Sequence, residues 1–478
     1  MSKAFGLRNA PTAPAPAAPS VAPAPPEPRP LPHMAQSERP THTETPARHR
    51  LQDLPTNASA RDVIRDQVIA AVETEVAVRL SPTDLLAHVE QAISTIANER
   101  RFLLNAAEQR NLAREIVDDM LGLGPLEPLL HDENVSDILV NGPKQVYVER
   151  RGKLQLTDTH FRSADHVMHV IQRIAIRVNR PIDEASPMLD ARLEDGSRVN
   201  AIIWPLTVKG PNLSIRKFSK RFFGLDEFVA RGSISPNLAK VLKIAARCRL
   251  NIVISGGTGS GKTTLLNAMS ESIDHDERII TIEDAVELQL QQPHVVQLET
   301  RPPNIEGRGQ VVQRDLVKNA LRMRPDRIIL GEVRGAEALD MLQAMNTGHN
   351  GSMSTVHANS PRDALARIEN LVLMANVDLP ARSIRGQLAS AFDLIVQIER
   401  MRDGVRRVTE VMEVVGMEQD TITTQPLVSY HYLGENPDGT LRGVFRATGT
   451  RPRFMSRLGY FGLDKAFVEA LATETVDD

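Results

Sequence analysis

Residues 251–269 read NIVISGGTGSGKTTLLNAM, and this stretch decides the fold of the region around it. Ile252 to Ser255 has the apolar, β-branched composition of a short buried strand. The next residues, Gly256 to Thr263, fit the pattern G-x-x-x-x-G-K-[ST]. Thr264 to Met269 then has the composition of a helix. The stretch therefore predicts a strand, a glycine-rich loop and a helix in that order.

This glycine-rich loop, a P-loop by its pattern, has the chemistry of a polyphosphate site. Glycines let the backbone curl so that successive N–H groups point inwards, and the start of the next helix adds partial positive charge. In this pattern Lys262 reaches the β- and γ-phosphates, and the Thr263 hydroxyl holds Mg²⁺. The strand before it and the helix after it disfavour the alternative of a chance glycine turn. The predicted nucleotide-binding residues are Gly256, Gly257, Thr258, Gly259, Ser260, Gly261, Lys262, Thr263 and Thr264.

The composition of the 478 residues predicts several domains and argues against a nucleic-acid partner. The formal net charge is −3 at pH 7, and aromatic residues, which stack on bases, make up only 4% of the chain. The single cysteine, Cys248, predicts neither a disulfide framework nor a zinc site. Apolar runs fall short of the ~18–20 residues that a membrane span needs, and the N-terminus has no apolar signal core. We therefore expect a soluble, cytoplasmic protein that meets membranes only through partners.

Patterns along the chain predict five segments. Residues 1–50, in the first segment, hold 12 of the 31 prolines and too few apolar residues to fold, so we expect a disordered tail. Helical periodicity follows, then short β patterns around one helix, then a connector, and last an alternation of strand and helix patterns that is typical of a mainly parallel sheet. The predicted segments are a tail at 1–55, a helical bundle at 56–121, an α+β domain at 122–222, a linker at 223–236 and an α/β domain at 237–478.

Two carboxylates at strand ends are candidates for activating water. Hydrolysis needs such a group in addition to the P-loop, and a doubly wound sheet places its ligands at the carboxyl edge. Glu283 directly follows the strand pattern Ile279 to Ile282, and Glu332 follows Ile328 to Leu330. The position before Glu332 is Gly331, where the usual Walker B pattern has the aspartate that binds magnesium. We therefore expect Mg²⁺ to depend on Thr263, water and Glu332 or Glu283.

Histidines and arginines supply further candidates. His349 and His357 lie eight residues apart, and His357 follows a strand pattern. A metal site is disfavoured by that spacing, which leaves two interpretations open: hydrogen bonds within a turn, or a sensor of the γ-phosphate. Arginines are also dense here, and one or two of them could clamp the γ-phosphate from a neighbouring subunit. These arginines are Arg308, Arg314, Arg322, Arg324, Arg327 and Arg334.

Four ordered boxes resemble those of the secretion ATPase superfamily, which powers type II secretion, type IV secretion and type IV pili. They correspond to its P-loop, aspartate box, Walker B and histidine box, and the resemblance extends over about residues 60–478. The boxes are Gly256–Thr263, Thr281–Glu287, Arg327–Arg334 and Thr347–His357. Within the superfamily the chain is most similar to the CpaF type, the motor of tight-adherence (Tad, type IVc) pili. Type IV secretion ATPases of the same branch are the nearest alternative.

The resemblance implies roles for individual residues. It implies a RecA-like C-terminal domain that binds ATP and Mg²⁺, and a PAS-like N-terminal domain. Glu283 resembles the general base of the aspartate box, Glu332 the Walker B acid near Mg²⁺, and His357 the sensor of the histidine box. Arg198 and Arg216 match the arginines that the family supplies to the nucleotide across the domain cleft. Which of Glu283 and Glu332 takes the proton stays open.

The same resemblance implies an assembly and its partners. It implies a homohexamer whose nucleotides lie between the two domains of each subunit, and whose domains swing about the connector near Phe223. The motion would pass to a polytopic inner-membrane platform protein, at which the ATPase docks peripherally. The P-loop is also compatible with two other classes of function, a nucleic-acid motor and a nucleotide-binding scaffold. A nucleic-acid motor is disfavoured by charge, and Gly331 suggests a scaffold that binds ATP without hydrolysing it.

Overall fold

The structure is a computed structural model that describes residues 57–72, 80–150, 152–218, 223–304, 307–375 and 378–472. The predicted disordered tail, residues 1–55, lies outside the described residues. Ser59–Asp478 forms one compact unit. No helix within the described ranges combines the length and the hydropathy that a membrane crossing requires.

The first described part of the chain is helical, as the periodicity predicts. Its helices are α1 (Asn57–Ala71), α2 (Pro82–Arg100) and α3 (Ala106–Leu121). The Ser81 side chain caps α2 by accepting from the Asp84 amide, and Asn105 forms a capping box with Glu108 at the start of α3. Apolar side chains of the three helices pack into a core of their own, which includes Ile64, Val89 and Ile116.

A six-stranded antiparallel sheet follows the helices. After α4 (Glu127–His131), the elements are β1 (Val135–Asn141), β2 (Val146–Arg150), β3 (Lys153–Leu156), α5 (Ala164–Arg177), β4 (Met188–Arg192), β5 (Arg198–Ile202) and β6 (Asn212–Arg216). The strand order is β3-β2-β1-β6-β5-β4. The apolar face of α5, including Val170 and Ile174, packs in one core with the alternate buried residues of β1, β2, β5 and β6.

The end of α3 is fastened to this sheet domain by α5. Arg173 donates to the Gly122 carbonyl at 2.5 Å, and Arg177 donates to the carbonyl of Leu121. Asp119, in the last turn of α3, accepts from both Arg162 and His166 at 3.1 Å. These bonds satisfy carbonyls that the end of a helix leaves unpaired. The bundle and the sheet domain are therefore joined by side chains as well as by the chain itself.

The C-terminal part is built on a nine-stranded sheet, in the order β15-β14-β13-β12-β7-β11-β10-β8-β9. Its strands are β7 (Ile252–Ser255), β8 (Ile279–Glu283), β9 (Val295–Glu299), β10 (Arg327–Leu330), β11 (Met353–Val356), β12 (Leu394–Arg400), β13 (Arg406–Glu418), β14 (Thr421–Glu435) and β15 (Leu441–Ala447). Neighbouring strands from β12 to β9 run parallel, and β13 to β15 extend the sheet antiparallel. The predicted α/β class is confirmed.

Helices cover both faces of this sheet and bury its apolar residues in two cores. They are α6 (Leu225–Ala230), α7 (Pro236–Arg247), α8 (Lys262–Ser270), α9 (Gln313–Ala320), α10 (Glu337–Asn346), α11 (Pro361–Leu373), α12 (Ala381–Ala391), α13 (Met455–Tyr460) and α14 (Asp464–Ala472). The predicted linker at 223–236 includes α6, whose Leu225 and Phe228 are buried in the first of these cores. Much of that segment therefore belongs to the C-terminal part.

Candidate nucleotide site at the carboxyl edge of the sheet

The P-loop leaves β7 and wraps closely around the start of α8. Gly259 and Gly261 have φ values of +70° and +96°, which side chains other than glycine rarely adopt. Gly256 is needed for a different reason: a Cβ there would lie 2.2 Å from the Ile398 carbonyl oxygen of β12. The predicted strand, loop and helix are confirmed. Positive φ and close backbone approach explain these three glycines.

Lys262 lies at one end of a chain of charged side chains. Its Nζ donates to the Gly257 carbonyl oxygen at 3.0 Å and lies 3.3 Å from Nδ1 of His357. Nε2 of His357 is 3.1 Å from Oε1 of Glu332, and the other oxygen of Glu332 accepts from Arg334 at 2.8 Å. The structure thus brings together Lys262 of the P-loop, His357 and Glu332.

The electrostatics of this chain favour a charged Glu332 and a neutral His357. Burial opposes ionisation of Glu332, but the hydrogen bond from Arg334 and the nearby Lys262 outweigh it and lower the pKa of the carboxyl. Burial lowers the pKa of His357, and Lys262 lowers it further. Burial also lowers the pKa of Lys262, although Glu332 opposes that shift. A neutral imidazole beside a carboxylate can donate one N–H and accept at the other nitrogen.

Glu283 is placed differently from Glu332. It is only 3% exposed, and its Oε2 accepts from the backbone amides of Glu287 at 2.8 Å and Leu288 at 3.1 Å. Burial raises the pKa of Glu283 to about 7, although these two hydrogen bonds oppose the shift. In this structure its carboxyl therefore organises the segment after β8.

Gly331 makes room for Glu283, which explains the departure from the Walker B pattern. A Cβ at position 331 would lie 2.7 Å from Cγ of Glu283 and 3.2 Å from its Oε2. The Gly331 carbonyl accepts from Thr355 at 2.7 Å, so the backbone here is held in place. An aspartate at this position is incompatible with the observed position of Glu283.

Gly331→Ala is expected to destabilise the protein by about 1–3 kcal/mol, the usual cost of overpacking a core. The added methyl group must displace Glu283 or the strand end, because neither neighbour is the free end of an exposed side chain. Gly459→Ala is the matched control, since a Cβ there has nothing within 4 Å. Urea unfolding of both variants measures the difference. An equal stability for Gly331→Ala and Gly459→Ala would contradict the steric explanation.

The raised pKa of Glu283 predicts a pH dependence of stability. The folded pKa of about 7 lies above the ordinary 4.5, so the unfolded chain loses this proton first and stability falls as pH rises between those values. From pH 5.5 to 8 the loss from this group is about 2 kcal/mol. In Glu283→Gln the difference in unfolding free energy between the two pH values should shrink by that amount. Identical pH profiles for the two proteins would refute the assignment.

Arg198 and Arg216 lie directly opposite each other on neighbouring strands, β5 and β6. Arg198 pairs with Glu287 at 3.0 Å, and Arg216 pairs with Asp137 at 3.2 Å. Both line a cleft of about 200 Å³ between the N-terminal sheet and the P-loop. The other lining residues are Gly196, Lys217, Phe218, Phe223, Thr263, Thr264, Asn267, Glu287 and Gln289. The cleft brings the two arginines to the same space as the start of α8.

Other sequence candidates have structural partners. His349 lies near the Ala344 carbonyl at 3.2 Å, within a turn, whereas His357 faces the P-loop lysine. Arg327 is fully buried and paired with Glu277 at 2.6 Å, so it cannot contact a phosphate in this structure. Arg314 pairs with Asp340 at 2.8 Å. Of the six arginines, Arg334 is the one placed in the Lys262–Glu332 chain.

A magnesium site fits the residues at the P-loop. Among the described residues, no group of three His, Cys, Asp or Glu side chains is arranged to hold a metal ion. Mg²⁺ in nucleotide sites is usually held by one or two protein oxygens, with phosphate and water completing the shell. The Thr263 hydroxyl and the Glu332 carboxylate are hard oxygen donors of this type, and the lowered pKa keeps Glu332 ionised. These two residues would hold the ion.

Sequence reasoning missed several residues around the site. Phe218, Phe223 and Asn267 line the cleft. Asn267 lies in α8 beyond the residues of the P-loop pattern, and no pattern assigns the two phenylalanines to the site. Arg406, on β13, donates to the Gly259 carbonyl of the P-loop at 2.9 Å. The motif of the P-loop contains no signal for that contact, because Arg406 is 147 residues away in the chain.

Comparison with curated proteins finds several similar relatives. A putative conjugal transfer protein of Mycobacterium tuberculosis is 40% identical over 304 residues, which cover 62% of this chain and 86% of the relative. The conjugal transfer protein TrbB of Rhizobium radiobacter is 35% identical over 299 residues, covering 62% of this chain and 88% of the relative. The type IV secretion system protein VirB11 of Bartonella henselae is 34% identical over 328 residues, covering 60% and 91%.

Solved structures that match include the VirB11 ATPase of Brucella suis in complex with sulphate and the pilus retraction motor PilT with bound ADP. The VirB11 ATPase is 30% identical with a TM-score of 0.33 and covers 60% of this chain and 95% of its own. PilT is 18% identical with a TM-score of 0.45 and covers 73% and 88%. The model of the type II/IV secretion system protein family matches residues 119–426, which include the P-loop and the Lys262–Glu332 chain. The protein therefore belongs to the type II/IV secretion system protein family.

Proposed function

We propose that the protein is a Mg²⁺-dependent ATPase that powers the assembly of a Tad (type IVc) pilus, as CpaF motors do. One observation carries the ATPase part: Lys262, His357 and Glu332 form one continuous chain beside the P-loop. The Tad assignment rests on the helices before the α+β domain and on the ending Phe445-Arg-Ala-Thr-Gly-Thr-Arg-Pro452.

The contacts that link Lys262, His357 and Glu332 suggest how these residues act on ATP. The Lys262 ammonium donates to the Gly257 carbonyl, a bond that the β- and γ-phosphates would replace. We infer that Glu332 orients or deprotonates the attacking water, because its carboxylate faces His357 and Lys262 whereas that of Glu283 is enclosed by backbone amides. His357, neutral and within reach of both, is placed to report phosphate through its ring N–H. When bound, Mg²⁺ supplies charge neutralisation at the phosphates.

The cleft between the two domains suggests where the rest of the nucleotide lies. Its lining runs from Thr263 and Thr264 towards the rings of Phe218 and Phe223, which suit a planar base. Arg198 would exchange Glu287 for phosphate, which closes the N-terminal domain over the site. In a homohexamer this closure would move an inner-membrane platform protein, with the ATPase docked peripherally at the cytoplasmic face. The proposal includes a PAS-like N-terminal domain, a RecA-like C-terminal domain and domain boundaries at residues 56 and 122. It counts α6, from the predicted linker 223–236, with the C-terminal domain, because Leu225 and Phe228 are buried in that core.

A type IV secretion or conjugal transfer ATPase is the second candidate. It is favoured by the relatives, which include TrbB and VirB11 proteins. The two candidates differ in the surface structure that fails when the motor is inactivated. They share the hydrolysis step and the P-loop site.

Phosphate release by the purified full chain tests the enzymatic part. Release is expected with ATP and Mg²⁺, is expected to stop with EDTA, and is expected to be lost in Lys262→Ala. DNA should not stimulate it, because the formal net charge of the chain is −3. Binding of ATP without any phosphate release would instead select the scaffold.

Loss of pili in cells tests the biological part. A strain carrying Lys262→Ala should lose surface pili and keep conjugal transfer. The opposite pattern would select the second candidate. Imaging of pilus extension and retraction in cells that carry the slow variant Glu332→Asp tests whether one motor drives both directions. If it does, the rates of extension and retraction should fall together.

A further inference from the structure

Two arginines lie directly opposite each other at the loop end of the β12–β13 hairpin. Arg400, the last residue of β12, pairs with Arg406, the first residue of β13. Directly opposed residues of an antiparallel pair project from the same face, and like charges in that position destabilise the sheet. Because this repulsion destabilises the sheet, we expect each guanidinium to make a stabilising contact outside the hairpin.

Arg406 contacts the outer side of the P-loop. Its Nε donates to the Gly259 carbonyl oxygen at 2.9 Å, and its Cδ would lie 3.1 Å from a Cβ on Gly261. The Gly259 carbonyl and the Ser260 N–H belong to one planar peptide unit, so holding the oxygen outwards also holds the N–H. Gly259 on one side of this peptide and Gly261 one residue beyond Ser260 both have positive φ, and such residues turn easily. Within the loop the Ser260 N–H donates to the Gly257 carbonyl oxygen at 3.4 Å, a long bond, and Arg406 adds a second restraint on the same peptide plane.

Arg400 contacts the N-terminal domain. Its guanidinium donates to the carbonyl of Gly152, in the turn between β2 and β3. Gly152 has a φ of +77°, and a Cβ there would lie 2.9 Å from the Arg400 guanidinium. The turn and the arginine are therefore in close contact.

The same hairpin touches the P-loop at a second point. The Ile398 carbonyl of β12 lies against Gly256, where a Cβ would be 2.2 Å away. Ile398 is paired with Val408, two residue pairs along the ladder from the Arg400–Arg406 pair. The P-loop therefore contacts both strands of the hairpin close to Arg400: it contacts β12 at Ile398 and β13 at Arg406. We call the opposed pair Arg400–Arg406 the rung.

We propose that the Arg400–Arg406 rung couples the P-loop to the N-terminal domain. Arg406 is a positioning residue that sets the Gly259–Ser260 peptide for phosphate, and Arg400 transmits the position of that rung to the β2–β3 turn. The proposal rests on the proposed function, because it requires a nucleotide in the P-loop. It adds a contact between the domains that is separate from the Arg198–Glu287 and Arg192–Glu299 pairs.

The test uses the full chain with the non-hydrolysed ATP analogue AMP-PNP and Mg²⁺. Hydrogen–deuterium exchange of the peptide that covers β2 and β3 reports the N-terminal side, and titration reports affinity. Arg400→Ala should bind AMP-PNP within about twofold of the wild type yet lose the nucleotide-dependent change in exchange. Arg402→Ala is the matched control, since Arg402 lies in the same hairpin but donates to Tyr432 and Glu435. It should behave as the wild type in both measurements.

Arg406→Ala should raise the Kd for AMP-PNP and the KM for ATP about tenfold, the size of one charge-assisted hydrogen bond, with kcat within about threefold. Arg406→Lys should recover most of the affinity, because an ammonium can donate to the same carbonyl. A full exchange response in Arg400→Ala, or wild-type affinity in Arg406→Ala, would overturn the coupling. Failure of the wild type to bind AMP-PNP would instead overturn the proposed function, and the coupling with it.

Discussion

Glu332→Gln is expected to lower kcat for ATP hydrolysis by about 10²- to 10⁴-fold while nucleotide binding is retained, the usual loss for removal of a general base. The lowered pKa of Glu332 keeps its carboxylate charged, and the same carboxylate contacts His357 and Arg334. Glutamine keeps the size of the side chain but removes the charge that orients or deprotonates water. Single-turnover phosphate release together with AMP-PNP titration separates the chemical step from binding.

Glu283→Gln is the matched comparison, because it makes the same chemical change at the other strand end. The oxygen of glutamine can still accept from the Glu287 and Leu288 amides that Glu283 holds. We expect kcat to fall by less than about tenfold, well below the loss of a general base. A larger loss in Glu283→Gln than in Glu332→Gln would reverse the two roles and make Glu283 the base.

Glu277→Ala is expected to destabilise the protein by about 3–5 kcal/mol, the usual cost of leaving a buried charge without its partner. Arg327 is fully buried, and Glu277 accepts from it at 2.6 and 2.7 Å. The same guanidinium donates to the carbonyls of Ala246 at 2.6 Å and Gly351 at 3.3 Å. It therefore fastens the end of α7, the start of β10 and the turn before β11. Urea unfolding measures the loss.

The exposed pair Arg382–Asp420 provides the control for this prediction. Its side chains are 74% and 67% exposed, so Asp420→Ala should change stability by less than about 1 kcal/mol. If Glu277→Ala costs no more than Asp420→Ala, the buried pair does not hold these elements together. Glu277→Gln, which keeps two polar atoms in place, should fall between the two variants.

Much of the C-terminal fold could be predicted because its elements have strong local patterns. Ile252–Ser255 and Arg327–Leu330 are short, mainly apolar strands with clear boundaries, and the structure has them at those residues. The strands β13 to β15 were not predicted. They mix polar and apolar residues over long stretches, and their pairing depends on neighbours rather than on local composition.

The candidate site was predictable where a motif carries its own chemistry. Lys262, His357 and Glu332, each named from a sequence motif, lie together in the structure, although the spacing of the histidines left the role of His357 open. The sequence did not show why residue 331 is glycine, because the atoms that exclude a Cβ there belong to the side chain of Glu283 on a neighbouring strand. Arg327 belonged to a cluster of arginines in the sequence, yet its partner Glu277 is fifty residues away and buried. Tertiary contacts of this type leave no local pattern.

The capping of α3 by Arg173 and Arg177 has a mechanical consequence. Because those side chains join the bundle to the sheet domain, a displacement of the sheet domain would also move the end of α3, and with it the helices α1 and α2 that share its core.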